Sequence, residues 1–88
     1  MTEQFKPGYH LSEIPKGEIG EISKIEEEVR ELRDAHEQHA VVMELVELSD
    51  LVGAVTMYLE RHHPNVTLDD LRTMAAITRR AFENGHRT

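Results

Sequence analysis

An 88-residue chain has room for one small domain, and one of that size buries only roughly 60–65% of the surface its unfolded form exposes. With 39% hydrophobic and 31% charged residues it is too apolar to be disordered. Seventeen acids against ten Lys and Arg, a formal charge of −7, exclude a general nucleic-acid binder, which needs a basic face to displace phosphate counterions.

Residues 1–17 contain Pro7, Gly8, Pro15 and Gly17 with no sustained period, and read as an irregular arm. Between Gly17 and Gly53 there is neither Pro nor Gly apart from Gly20, and the residues are mostly good helix formers. Ile19, Ile22, Ile25, Val29, Leu32 and His36 step by three or four and mark one face of an amphipathic helix. Val41, Leu45, Leu48, Val52, Val55 and Leu59 form a second such series. The step between the two series is five, so the stripe loses phase, and one helix over 18–62 would be unusually long. We therefore place a break at Glu37–Ala40, although no turn residue marks it.

The second helix ends before Pro64, because the residue preceding a proline disfavours the helical region. Thr67 then reads as an N-cap with Asp69 and Asp70 in the first turn. Leu71, Ala75, Thr78 and Phe82 give the third helix its face, and Gly85 stands where a C-terminal cap is expected. The fold class is all-α: an arm (1–17), then a helical domain (18–88) made of an antiparallel hairpin and a third helix. Three helices make a poor closed core, so a second copy of the chain is expected to complete a four-helix-type bundle, as a homodimer or homotetramer. Gly53 is expected to let two helices approach closely, and Met43, Met57 and Met74 to fill the core.

The carboxylates need an explanation of their own. Glu28 and Glu31 are three apart, as are Glu47 and Asp50, and residues three apart on a helix are neighbours. Folding the chain back at residue 39 brings the two pairs level, at roughly 12–17 Å from the hairpin tip. Four carboxylates at one level repel unless protons or a cation intervene, and hard divalent cations with oxygen ligands suit them. A solvated acidic face is the other reading, and Glu26, Glu27 and Glu37 are assigned to it. It suits Glu47 and Asp50 less well, because they lie in VVMELVELSDLVGAV, where nearly every other residue is apolar.

These residues resemble a family. Glu27-Glu28-Val29-Arg30-Glu31 reads as E-E-x-x-E and Glu47-Leu48-Ser49-Asp50 as E-x-x-D. That pair of motifs on consecutive helices resembles the MazG-like all-α nucleoside triphosphate pyrophosphohydrolases, a superfamily that also holds the dimeric dUTPases and phosphoribosyl-ATP pyrophosphohydrolase. The resemblance covers roughly residues 17–87. It implies Mg²⁺-dependent hydrolysis of nucleoside triphosphates to monophosphate and pyrophosphate, with Mn²⁺ as a possible substitute. Glu28, Glu31, Glu47 and Asp50 would be its metal ligands and catalytic carboxylates. Glu27 is then either a supporting group or a solvent-facing acid, the latter slightly favoured.

Phosphate binding needs cations as well. Lys24, one turn before Glu28, is a candidate, and equally an i,i+4 partner for Glu28. Members often carry Asn-x-x-Arg after a Lys near the end of the next helix. Asn84-Gly85-His86-Arg87 fits the N-x-x-R, but Glu83 stands in place of the Lys, and Arg80 or Arg79 would have to replace its charge. That departure and the short length support an alternative: a non-catalytic nucleotide-binding or regulatory helical oligomer of the same fold. A purely structural oligomerisation module is a third reading.

The histidines read as structure. His62 and His63 are expected on the surface at a helix C-terminus, and His36 and His39 at the surface or an interface. Phe5, Tyr9 and His10 in the arm are expected to pack over a neighbouring subunit rather than stack on a nucleobase. The absence of cysteine rules out disulfides, zinc-thiolate sites and a thiol nucleophile, and favours a cytoplasmic setting, that of the host if the gene is viral. No apolar run approaches the roughly 20 residues of a membrane span, and MTEQFKPGYH has no signal-peptide character, so no membrane partner is expected.

Overall fold

Proline and glycine punctuate the chain up to residue 20 and again at Pro64, and helices occupy the stretches free of them. A computed structural model describes residues 10–84. It contains α1 (Ile22–Glu37), α2 (Val41–His62) and α3 (Leu68–Glu83), and the described residues include no strand. Among the described residues no helix is long and apolar enough to cross a membrane.

Helix α1 starts later than the periodicity implies. Ile19 belongs to a turn, because Gly20 takes φ +87°, a left-handed conformation that side chains other than glycine's adopt only with strain. Gly17 is needed for a different reason: a Cβ there would run into the Ser23 carbonyl. The extended arm thus lies directly against the first turn of α1, and the Glu18 N–H donates to Ser23 Oγ at 3.0 Å.

The break between α1 and α2 falls where the phase shift puts it. His39 is left-handed at φ 57°. Its N–H donates to His36 O at 3.0 Å, and the Ala40 N–H reaches Ala35 O at 3.1 Å. This pair of bonds is the Schellman closure of a helix end, normally built on glycine. Histidine tolerates the conformation better than most residues, which is why no conventional turn residue was needed. His39→Gly is expected to stabilise the chain by up to about 1 kcal/mol, since glycine removes the Cβ penalty but loses more chain entropy. A lower melting temperature for this variant would contradict that account of the turn.

The hairpin is antiparallel, as its two ends show. At the tip, His36 Nδ1 lies 3.4 Å from Glu44 Oε2. At the far end, Arg61 Nη1 donates to Ile19 O at 3.2 Å and to Glu21 Oε2 at 2.8 Å. His62 Nε2 lies 3.1 Å from Glu21 Oε1, so this surface histidine ties the two helices together. Helix α3 opens with a reciprocal capping box. The Asp70 N–H donates to Thr67 Oγ1 at 3.1 Å, and the Thr67 N–H donates to Asp70 Oδ2 at 2.9 Å. Gly85 lies outside the described residues, and Asn84 caps the end of α3.

The packing differs from the stripe expected of the sequence. Among the described residues only Ala35, Ala54 and Leu59 are buried apolar residues, while Glu27, Glu28, Asp34 and Glu47 are buried acids. Carboxylates thus outnumber apolar side chains among the buried residues. The first four members of the α2 series face outward, Val41 and Leu45 at 68% and 63% exposure with Leu48 and Val52 also open, whereas Val55 is half-buried and Leu59 buried. A Cβ at Gly53 would meet nothing within 4 Å among the described residues, so there it is not a point of close approach. Met57 and Met74 are exposed and Met43 half-buried, so they do not fill a core either. Helix α3 buries no residue at all, touches α2 sparingly and makes no contact with α1.

Candidate metal centre

Helix geometry brings the two acid pairs together. On α1, positions 28, 31 and 35 share the face turned to α2; on α2, positions 47, 50 and 54 share the face turned back. Ala35 and Ala54 carry no bulk, which lets the two backbones approach beside the acids. One carboxylate oxygen from each of Glu28, Glu31, Glu47 and Asp50 lies within 4.8 Å of the others. Glu28 and Glu47 are buried, Glu31 is half-buried and Asp50 is exposed, so the cluster has a closed side and an open side.

The electrostatics fit a place for a cation. Glu28 Oε1 and Glu47 Oε1 are buried without a hydrogen-bond partner. Buried polar atoms rarely stay unsatisfied, and an oxygen-lined cluster of this kind is what a divalent ion completes. Burial, with Glu28 and Glu27 beside it, pushes the Glu31 carboxyl up to about 7. Burial and the neighbouring Asp50 raise Glu47 as well.

These shifts give a stability prediction for the chain free of divalent ions. The folded form of Glu31 holds its proton more tightly than the unfolded form, whose carboxyl titrates near 4.5. Its stabilising contribution is therefore fully present below about 4.5 and is lost as the pH rises through about 7. Glu47 acts in the same direction. With chelator, the melting temperature should fall between pH 5 and pH 8, and saturating Mg²⁺ should recover it at the upper end. A melting temperature that rises across that range in chelator would contradict the assignment.

The surrounding residues sort themselves clearly. Glu27, expected to face solvent, is instead 2% exposed. The Gly17 N–H donates to its Oε1 at 2.8 Å, and Lys24 Nζ does so at 3.1 Å. Burial opposes ionisation of Glu27, but these donors outweigh it and hold the carboxyl below its ordinary range. The solvated-face reading failed here because the arm, not the hairpin, covers this residue. Glu26 and Glu37 are exposed, as expected. Lys24 also lies 3.2 Å from Glu28 Oε2, so it sits as a counter-ion between Glu27 and Glu28. Burial lowers its affinity for a proton, but the two carboxylates more than offset this and raise it.

The other phosphate-binding candidates lie on or beyond α3. Arg80 lines a shallow groove of about 470 Å³ on that helix with Arg72, Arg79 and Glu83. Arg79 Nε donates to Glu83 Oε2 at 2.7 Å, so the acid standing where the family has a Lys is paired locally. Asn84 is exposed at the end of α3, and Arg87 lies outside the described residues.

Sequence reasoning missed two residues next to the cluster. Asp34 is 5% exposed, and both its oxygens accept from the Leu11 N–H, at 2.9 and 2.8 Å. His10 Nδ1 lies 3.3 Å from Asp34 Oδ2. One ring nitrogen of His10 also comes within 4.8 Å of carboxylate oxygens of Glu31 and Glu47. The signal for Asp34 was its spacing: residues 27, 31 and 34 form one stripe along α1, turned to the side on which the arm runs. Comparison with known proteins returned no matching family model, no matching curated protein and no matching solved structure.

Proposed function

We propose that the chain is a MazG-like nucleoside triphosphate pyrophosphohydrolase that works with Mg²⁺ as an oligomer. The observation that carries this reading is the convergence of Glu28, Glu31, Glu47 and Asp50 from two antiparallel helices, with buried, unpartnered oxygens on Glu28 and Glu47. Bound Mg²⁺ supplies Lewis-acid polarisation of the phosphate chain and a more acidic water. The chain's own residues do the rest. Glu28 and Glu47, which are buried, would hold the ion together with the half-buried Glu31 and the exposed Asp50, on whose side phosphates would enter. Lys24, fixed by Glu27, orients the Glu28 carboxylate.

The second copy is supported by surface that one chain leaves uncovered. Val41, Leu45, Leu48 and Val52 on α2, with Met74, Ile77 and Phe82 on α3, supply an apolar surface. Pairing of α2 with its counterpart would make the four-helix arrangement and give Gly53 a close neighbour. It would also allow cations of one subunit to serve phosphates bound at another.

One observation favours the second reading, a nucleotide binder without turnover. Lys24 is held by Glu27 and Glu28, and Arg79 by Glu83, so within one chain neither is available to clamp phosphate. Titration with a non-hydrolysable nucleoside triphosphate tests what both readings share. Binding that requires Mg²⁺ is expected. Equal binding in chelator, or none with Mg²⁺, would return the acids to a purely structural role.

A further inference from the structure

The arm is fastened to α1 at two points, both through its backbone. The Leu11 N–H donates to both oxygens of Asp34, at 2.9 and 2.8 Å, and the Gly17 N–H donates to Glu27 Oε1 at 2.8 Å. These anchors are buried acids, Asp34 at 5% and Glu27 at 2% exposure. They stand about 10 Å apart along one stripe of α1, and Glu31 lies between them on that stripe. Just before the Asp34 anchor, the His10 ring comes within 4.8 Å of carboxylate oxygens of Glu31 and Glu47. The arm therefore follows the side of α1 that carries Glu31 and covers the carboxylate cluster there.

We propose that the arm is a strap over the metal centre: its docking on Asp34 and Glu27 and the binding of a cation at Glu28, Glu31, Glu47 and Asp50 favour one another. The inference rests on the metal-centre reading and adds control of that centre by a segment outside the two-helix motif. Two effects link the events. The docked arm fixes groups beside the ligands before an ion arrives. Glu27 Oε1 takes Lys24 Nζ at 3.1 Å as well as the Gly17 N–H, and Lys24 in turn holds Glu28 Oε2 at 3.2 Å. That leaves Glu28 Oε1 as the buried oxygen without a hydrogen-bond partner. Ligands placed in advance bind more tightly, because less order has to be imposed on binding.

The second effect runs from the ion to the arm. Without a cation the arm lies over carboxylates that repel one another, and that repulsion loosens the surface on which it docks. A bound ion replaces repulsion with attraction toward one point, so the docked form gains. Linkage makes the two effects equal: the factor by which docking tightens the ion is the factor by which the ion holds the arm.

Two substitutions release the strap in the full-length chain without touching a ligand or moving a charge. Leu11→Pro removes the N–H that Asp34 accepts, and the Leu11 side chain is 63% exposed, so little packing is lost with it. Gly17→Ala drives a Cβ into the Ser23 carbonyl and lifts the other end. Calorimetric titration with Mg²⁺ is expected to show binding weakened about tenfold or more in each variant, with helix content by far-UV circular dichroism unchanged. In the wild type, saturating Mg²⁺ should slow amide exchange at Leu11 and Gly17 by a similar factor, about tenfold, as read by NMR. The Asp70 N–H, in the cap of α3, which makes no contact with α1, should keep its rate. Wild-type affinity in a variant that has kept its helices would overturn the strap and leave the carboxylate centre standing. So would exchange at Leu11 and Gly17 that ignores the ion, and this measurement decides alone if both variants lose helix. Failure of the wild type to bind Mg²⁺ would overturn the metal centre itself and the strap with it.

Discussion

Glu47→Gln is expected to abolish metal-dependent turnover, by about 100-fold or more, while leaving the helices intact. The substitution preserves shape and removes one charge from a carboxylate that is 2% exposed and has a buried, unpartnered oxygen. Burial and Asp50 already disfavour the charged form of Glu47, so its replacement relieves repulsion in the ion-free chain. The result is a crossover. In chelator Glu47→Gln should melt at least as high as the wild type, whereas with saturating Mg²⁺ the wild type should melt higher, because it alone gains the full binding energy. Thermal melts of both proteins in both conditions measure this. Parallel shifts of the two proteins on adding Mg²⁺ would show that Glu47 does not hold the ion.

Leu45→Lys together with Val52→Lys is expected to break the assembly. Both residues lie on the outward stripe of α2, at 63% and 47% exposure in a single chain, where charge costs a lone monomer little. In an α2–α2 interface the same charges would be buried without partners and opposed by their symmetry mates. The wild type should sediment as a dimer or tetramer, with a melting temperature that rises with protein concentration. The double variant should sediment as a monomer and melt lower, since one chain buries only three apolar side chains among the described residues. A wild type that is monomeric at tens of micromolar, with a melting temperature independent of concentration, would contradict the interface.

Much of this fold was legible in the sequence. Periodicity, Pro64 and the Thr67 cap placed three helices, and the five-residue phase step located the turn that His39 closes. The acid quartet was legible because spacing of three on each helix and equal distance from the turn are local facts. What the sequence concealed depends on tertiary position. An apolar stripe does not say which neighbour covers it, and here its first half on α2, from Val41 to Val52, stays exposed while Glu47 on the same helix is buried. Glu27 looked like one more charge on a solvated face, yet the Gly17 N–H of the arm and Lys24 hold it buried. His10 and Asp34 are 24 residues apart, and nothing in the local pattern of either announces the contact.

The central claim is that these carboxylates serve pyrophosphate release, and pyrophosphate is the product to measure. The wild-type chain is incubated with a panel of ribo- and deoxyribonucleoside triphosphates, with Mg²⁺ and with chelator, and the products are separated. Equal amounts of monophosphate and pyrophosphate, formed only with the metal and absent for Glu47→Gln, are the expected result, and the best substrate identifies the nucleotide pool. Release of orthophosphate, or turnover that survives chelation, would contradict the account. No turnover on any triphosphate would also contradict it, leaving the binding reading if nucleotide affinity still requires the metal.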